Sequence, residues 1–206
     1  ELFLFDKDSS TPLWTYEGTA RFDQSAISAD GEYIVAGSDD HKVYLFSKDS
    51  STPLWTSSNL GDQIRCVSIS ADGKYVAYST SYVSPSTYSY IRLLDNSGDT
   101  VWTAGGGSST NPGTIYDLEV SHDGSYILAG TSGGSGSAWN SKRLHLFGRD
   151  SSTPLWSWDP GGSGTKICAD VDISTNDRLV AVCHGSSSSS DKNLNVWTVN
   201  SSTPVW

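Results

Sequence analysis

Three identical heptads constrain this chain more than any other feature: Asp-Ser-Ser-Thr-Pro-Leu-Trp at 8–14, 49–55 and 150–156. Worn copies stand at 98–102, Gly-Asp-Thr-Val-Trp, and at 200–206, Asn-Ser-Ser-Thr-Pro-Val-Trp. An apolar run precedes them, as in Val43-Tyr44-Leu45-Phe46. Trp14, Trp55, Trp102, Trp156 and Trp206 therefore recur at intervals of 41 to 54 residues. A period of that length, built from short strands, marks a propeller or solenoid, in which each unit buries its face against the next.

The segments between the heptads complete the unit. The first whole repeat reads Ala26-Ile27-Ser28, a turn at Ala29-Asp30-Gly31, Tyr33 to Ala36, Val43 to Phe46, then Leu54-Trp55. The same order returns from Val67, from Leu118 and from Val171. Tyr, Val, Ile and Phe dominate the runs, which suits a pleated, half-buried surface. Gly31 can take the positive φ that a tight hairpin turn needs. No window sustains apolar residues at helical spacing. The expected fold is all-β: a β-propeller of four-stranded antiparallel blades, with four full blades after an N-terminal half-blade. The half-blade covers 1–14, and the blades cover 15–56, 57–103, 104–157 and 158–206. A leading half without its own inner strands is expected in a segment of a longer chain or of an oligomeric ring.

Val67-Ser68-Ile69-Ser70-Ala71-Asp72-Gly73, followed by Tyr75-Val76-Ala77, resembles the first hairpin of WD-repeat propeller blades. Val-Tyr-Leu-Phe at 43–46, a turn and Leu-Trp resemble the last hairpin of pyrroloquinoline-quinone-like blades, and Leu94 to Trp102 is the nearest match. The second resemblance implies a tryptophan that docks one blade on the next. Two departures limit what is implied. No Gly-His opens the repeats and no Trp-Asp closes the third strand, so the buried polar network of WD repeats is not implied. No vicinal Cys-Cys is present, unlike most quinone enzymes, and no cofactor is expected.

In a propeller the strands of a blade run a, b, c, d outward from the axis. The step from a to b is six residues in every repeat: 27 to 33, 69 to 75, 120 to 126 and 173 to 179. The b–c connections differ, with insertions at 80–90, 131–143 and 184–193, and so do the d–a links at 103–114 and 157–166. All length variation is therefore expected on one face, and varied loops on a rigid scaffold are how binding surfaces are built. Tyr82, Tyr88, Trp139, Trp158 and His184 stand among Ser, Gly and Asn there, as candidates for contact with a protein or a sugar. Tyr90 falls in strand c. The repeat tryptophans Trp14, Trp55, Trp102, Trp156 and Trp206 are read as packing between blades, since they follow a fixed turn.

Other constellations carry less. Asp6-Lys7-Asp8-Ser9-Ser10 offers alternating oxygens to a hard cation, but the first Asp becomes Ser47 and Gly148 in sister copies, and a turn bonding its own backbone is the better reading. Asp40-His41, Asp117, Asp170 and Asp172 could line a channel and hold a metal or water, and no metal is assigned to them. Cys66, Cys168 and Cys183 form no Cys-x-x-Cys. Cys168 and Cys183 fall near each other on the last a–b hairpin but off direct opposition, so free thiols are expected there over a disulfide. Cys183-His184 is too isolated to define a nucleophile and its base. No Gly-x-Ser-x-Gly elbow, zinc signature or phosphate loop occurs.

Composition narrows the partners. A net charge of −10 repels phosphate backbones and anionic lipid heads. Nucleic acid is not an expected partner, and with no apolar run of membrane length neither is insertion in a bilayer. Only 17% of residues are charged and Ser and Gly are abundant, which points to an extracellular or cell-surface protein. Asn200-Ser201-Ser202 is the only sequon, so Asn200 is the glycosylation candidate. The expected function is a non-catalytic propeller scaffold for protein or glycan interaction. The alternatives are a quinone-dependent dehydrogenase-like or polysaccharide-acting propeller enzyme, and a self-assembling subunit that pairs through its half-blade.

Overall fold

The computed structural model describes residues 1–80, 88–107, 110–133, 142–159, 166–175, 179–186 and 193–206, with the side chains of 166, 179–186 and 193 outside the described set. Strands β1 (Leu2–Phe5) and β2 (Pro12–Tyr16) form a two-stranded antiparallel sheet. The first full blade holds β3 (Phe22–Ile27), β4 (Tyr33–Ser38), β5 (Lys42–Ser47) and β6 (Trp55–Thr56). The second holds β7 (Ile64–Ile69), β8 (Tyr75–Thr80), β9 (Tyr90–Asp95) and β10 (Thr100–Gly105). The third holds β11 (Ile115–Val120), β12 (Tyr126–Thr131), β13 (Leu144–Gly148) and β14 (Pro154–Trp158). The last sheet has three strands, β15 (Lys166–Ile173), β16 (Leu179–Ser186) and β17 (Asn193–Thr198).

The last sheet departs from expectation. Val205-Trp206 was expected as its outer strand. Val205 N–H donates to Val196 O at 2.7 Å, and Val196 N–H donates to Trp206 O at 2.8 Å. Those bonds pair the segment with β17 without extending into a ladder.

The core lies between sheets, not within one. Leu2, Leu4, Trp14, Tyr16 and Phe22 cover Ile34, Ala36, Tyr44 and Phe46. Three further clusters fill the junctions of blades one and two, two and three, and three and four. Inner strands β3, β7, β11 and β15 pack in succession along the axis, and the sheets do not close into a ring. Burying one large apolar side chain in such a junction contributes about 1.5–3 kcal/mol.

The Pro-Leu-Trp of the heptad has a geometric reason. In the half-blade Leu4 pairs with Trp14 and Phe5 with Pro12, so Leu13 is the extra residue of a bulge. Leu155 takes the same place in blade three. The bulge turns the following tryptophan towards the next blade and leaves the leucine exposed. Each indole N–H then donates to a backbone carbonyl in the c–d turn of that blade: Trp14 to Lys48 at 2.9 Å, Trp55 to Asn96 at 2.9 Å, Trp102 to Arg149 at 2.8 Å, and Trp156 to Val199 at 2.8 Å. Trp206, named with this set, is the exception. It is 72% exposed and docks on none of the described blades.

The two faces differ in how they are held. On one, Ala29 N–H donates to Ala71 O at 3.1 Å and Ala71 N–H to His122 O at 3.0 Å, tying successive a–b turns. Lys48 N–H reaches Glu32 O and Arg149 N–H reaches Ser125 O, so the c–d turns share that face. In the a–b turns of the first three blades a serine hydroxyl donates to an aspartate and accepts a tyrosine amide, as Ser28 does from Tyr33 and to Asp30. Ser70 and Ser121 repeat it. On the other face the b–c and d–a connections meet: Asp39 N–H donates to Arg21 O, Leu60 to His41 O, and Ser132 to Thr114 O.

Candidate functional site

All four inner hairpins carry a bulge at the same point, between Phe22 and Gln24, Ile64 and Cys66, Ile115 and Asp117, and Cys168 and Asp170. The extra residues are Asp23, Arg65, Tyr116 and Ala169. A bulge re-aims a side chain without ending the strand. Asp23, Arg65 and Tyr116 thereby line a cleft of about 310 Å3 on the side of the varied connections, with Gln24, Gln63, Ile64, Cys66 and Asp117. Arg65 is held in place. Its Nε donates to Ile115 O at 2.8 Å, and its guanidinium lies 5.4 Å from the Tyr116 ring centre.

The chemistry of this cleft is polar and poorly suited to covalent catalysis. Cys66 donates its thiol to Tyr116 O at 3.4 Å, and burial pushes that thiol up to about 11. Burial pushes Cys168 up to about 12. A thiol is a nucleophile only as thiolate, so neither is activated at neutral pH. Cys66 and Cys168 are buried free thiols, and Cys183 lies opposite Asp170 rather than opposite Cys168.

Carboxylates gather on the inner strands of blades three and four, where blades one and two place Gln24, Ala26, Cys66 and Ser68. Asp117 accepts Val171 N–H at 2.9 Å across the blade junction. Its pKa is raised by burial and further by Asp170. Deeper along the axis Glu119 accepts the Ser68 hydroxyl at 3.2 Å, while Ser68 accepts Val120 N–H at 3.0 Å. Burial pushes Glu119 up to about 7, with Asp172 and Asp117 adding repulsion. Glu119 and Asp172 border a second cleft of about 260 Å3, whose apolar wall is Ile27, Ile69, Val120 and Ile173. Among the described residues no group of three or more His, Cys, Asp or Glu side chains is arranged to hold a metal.

This arrangement sets a pH dependence. The folded chain keeps the Glu119 proton to about pH 7, whereas an unfolded chain releases it near about pH 4.3. Between those values the folded state binds more protons, so the contribution of Glu119 is full in acid and is lost as pH rises through 7. Glu119→Gln is therefore expected to gain about 1–3 kcal/mol over the native chain at about pH 8, and less than about 0.5 at about pH 4. Urea unfolding at the two pH values measures it.

His145 behaves oppositely and is structural. It is buried in β13, with Nδ1 2.8 Å from the Ser157 hydroxyl, and burial lowers its pKa to about 3. It stays neutral in the folded state throughout the neutral range.

The contact-face candidates have divided fates. Tyr88 is half-buried just before β9, and Tyr90 within β9 is buried. Tyr82 and Trp139 lie outside the described residues. Trp158 is not a surface platform: its ring meets Trp197 edge-to-face at 4.8 Å in the core between blades three and four. The period of two along β14 puts it on the same face as Trp156. His184 belongs to strand β16, opposite Cys168, and not to the connection that follows. The last inner hairpin is longer than expected, with eight residues in each strand. Its side chain is outside the described set. Asn200 is exposed in the c–d turn of the last blade.

Sequence reasoning missed one cluster. Asp40 accepts the Tyr44 hydroxyl and, at 3.2 Å, that of Thr19, joining a b–c turn, a c strand and a d–a link. Blade one thus has a polar network although Trp-Asp and Gly-His are absent. The Asp6–Ser10 turn bonds itself: Asp8 N–H donates to Asp6 Oδ1 at 2.9 Å, and Thr11 N–H to Ser9 Oγ at 3.0 Å.

Sheets of this form, stacked by docked indoles around a common axis, define a β-propeller array of blades that resemble WD repeats. The family described as WD domain, G-beta repeat matches residues 10–47, which run from β2 to β5. No curated protein matches the chain by sequence. Among solved structures, a chain in a crystal structure of the mitotic checkpoint complex is similar over 97% of this chain and 56% of its own, with TM-score 0.69 and 17% identity. A chain of Kuenenia stuttgartiensis hydrazine synthase is similar over 98% of this chain and 51% of its own, with TM-score 0.66 and 12% identity. The chain thus spans about half the length of these structures.

Proposed function

We propose that the chain is a non-catalytic scaffold that binds a protein partner through its b–c and d–a connections. The observation that carries this reading is the asymmetry of the faces. One face repeats the same serine–aspartate turns and is tied from blade to blade. The other carries the b–c and d–a connections, whose lengths differ most along the sequence, and a polar set of Arg21, Asp39 and Gln63 at its rim. Varied connections on a fixed frame supply specificity without disturbing the stack. The inert thiols support binding over chemistry. An extracellular or cell-surface setting is part of the proposal, resting on low charge and on exposed Asn200.

Affinity capture with a purified binding partner tests it. Tyr88→Ala combined with Trp139→Ala is expected to weaken capture by roughly tenfold or more, as loss of aromatic contact residues does. Lys74→Ala, on the opposite face, is expected to leave it unchanged. Equal capture by all three proteins contradicts the assignment. Binding to a glycan array and to no protein would replace the partner class with carbohydrate.

A further inference from the structure

The heptad repeats more than a tryptophan: it repeats a set of exposed hydroxyls on the outer rim. Its d strand is the outer edge of a blade, β6 in the first and β14 in the third. The leucines ahead of the docked indoles, Leu54 and Leu155, are 54% and 56% exposed there. An edge strand with unpaired backbone and a bare leucine invites a strand of another chain. Within each heptad the hydroxyls divide into two kinds. The first serine closes the turn: Ser50 Oγ accepts Thr52 N–H at 3.0 Å, Ser151 Oγ accepts Thr153 N–H at 3.1 Å, and Ser9 Oγ accepts Thr11 N–H at 3.0 Å. The threonine is exposed in all three copies, and its hydroxyl enters no hydrogen bond among the described residues. The proline that follows holds its threonine extended. The hydroxyl therefore stands on an extended segment at a sheet edge, the form in which a peptide is gripped by its main chain.

We propose that Thr11, Thr52 and Thr153 are acceptor sites for O-linked neutral sugars, which shield the rim edges. Serine and threonine beside proline are the composition of such acceptors. The inference rests on the extracellular or cell-surface setting proposed above. The donor is a sugar activated as a phosphate ester. Threonine Oγ1 attacks the anomeric carbon, and the bond from that carbon to the donor's phosphate oxygen breaks. The phosphate leaves with the electron pair, the hydroxyl proton passes to a base of the transferase, and nothing is oxidised or reduced. Charge disfavours phosphate on the same hydroxyls. It would add about −1.5 to −2 at a position three residues from Asp8, Asp49 or Asp150, in a chain that carries −10. A neutral sugar adds none. The worn copy in blade two supplies a contrast: Thr100 is exposed but has neither the serine pair nor the proline.

The protein isolated from its native cells tests this, after intact cells are labelled with a reagent that does not cross membranes. Trypsin cuts ahead of each heptad, at Lys7, Lys48 and Arg149, so each threonine falls in its own peptide: 8–21, 49–65 or 150–166. Mass spectrometry is expected to find whole sugar units on Thr11, Thr52 and Thr153, released by mild alkali as O-linked sugars are, and to find Thr100 bare. Thr52→Val, expressed in the same cells, is expected to lose the sugar of peptide 49–65 alone and to keep the fold, because that hydroxyl bonds nothing. A labelled chain with bare heptads would overturn this inference and leave the surface setting standing. An unlabelled chain with bare heptads would overturn both. Phosphate on those threonines, or as much sugar on Thr100, would also contradict the proposal.

Discussion

Replacing Trp102 by alanine is expected to lower the unfolding free energy by about 3–5 kcal/mol, the cost of removing a large buried aromatic side chain. Trp102 is 8% exposed and fills the junction of blades two and three with Phe147, Leu93 and Ala104. Its indole N–H donates to Arg149 O at 2.8 Å. Alanine leaves a cavity at the junction and strips that carbonyl of its donor. Trp102→Phe keeps most of the bulk and loses the donor, so a smaller loss is expected, about 1–3 kcal/mol. Trp206→Ala makes the same chemical change at a 72% exposed position and is expected to stay within about 0.5 kcal/mol. Denaturant midpoints of the three variants separate a docked indole from an idle one.

The second large effect lies in the a–b turns. Gly73 has φ 68°, a left-handed conformation costly to any residue with a Cβ. A Cβ there would stand 2.2 Å from Cδ2 of Tyr33, the first residue of the neighbouring blade's b strand. Gly73→Ala therefore meets two penalties: about 1–2 kcal/mol for the backbone, and about 1–3 for forcing the ring aside. Gly31 occupies the same place in blade one with φ 73°, but nothing lies within 4 Å of its Cβ direction. The half-blade has no b strand to supply a tyrosine. Gly31→Ala is expected to cost the backbone share alone. Thermal unfolding of the pair isolates the contribution of tyrosine packing between blades, and equal losses would contradict it.

The strands and their order were legible because period-two alternation and the heptad beat are side-chain signals. Val43 to Phe46 and Tyr33 to Ala36 could hardly be anything but neighbouring strands. The tryptophans announced a junction, but not what they bond. Their acceptors are backbone carbonyls of Lys48, Asn96, Arg149 and Val199, and a carbonyl carries no residue-type signature. The inner bulges were hidden for a similar reason. Asp23, Arg65, Tyr116 and Ala169 share no chemistry, so only the pairing register exposes their common position. Trp158 was misassigned although a signal existed: two residues after Trp156 on a strand, it had to face the same way. His184 was read as loop because the apolar run stops at Cys183, while the backbone pairing continues to Ser186. Of the candidate contact face, what the sequence offered was its location and variability. The cleft with Arg65 over Tyr116 depends on Arg65 and Ile115, 50 positions apart, being brought together by stacking.

Each blade is fastened to the next by an indole that docks on it and donates to its c–d turn. Hydrogen exchange of the indole N–H groups, assigned by single Trp→Phe substitutions and measured on dilute chain, tests this most directly. Trp14, Trp55, Trp102 and Trp156 are expected to exchange slowly, each shielded by its carbonyl acceptor, and Trp206 at the rate of a free indole. If those four exchange as fast as Trp206, the blades are not joined in this way.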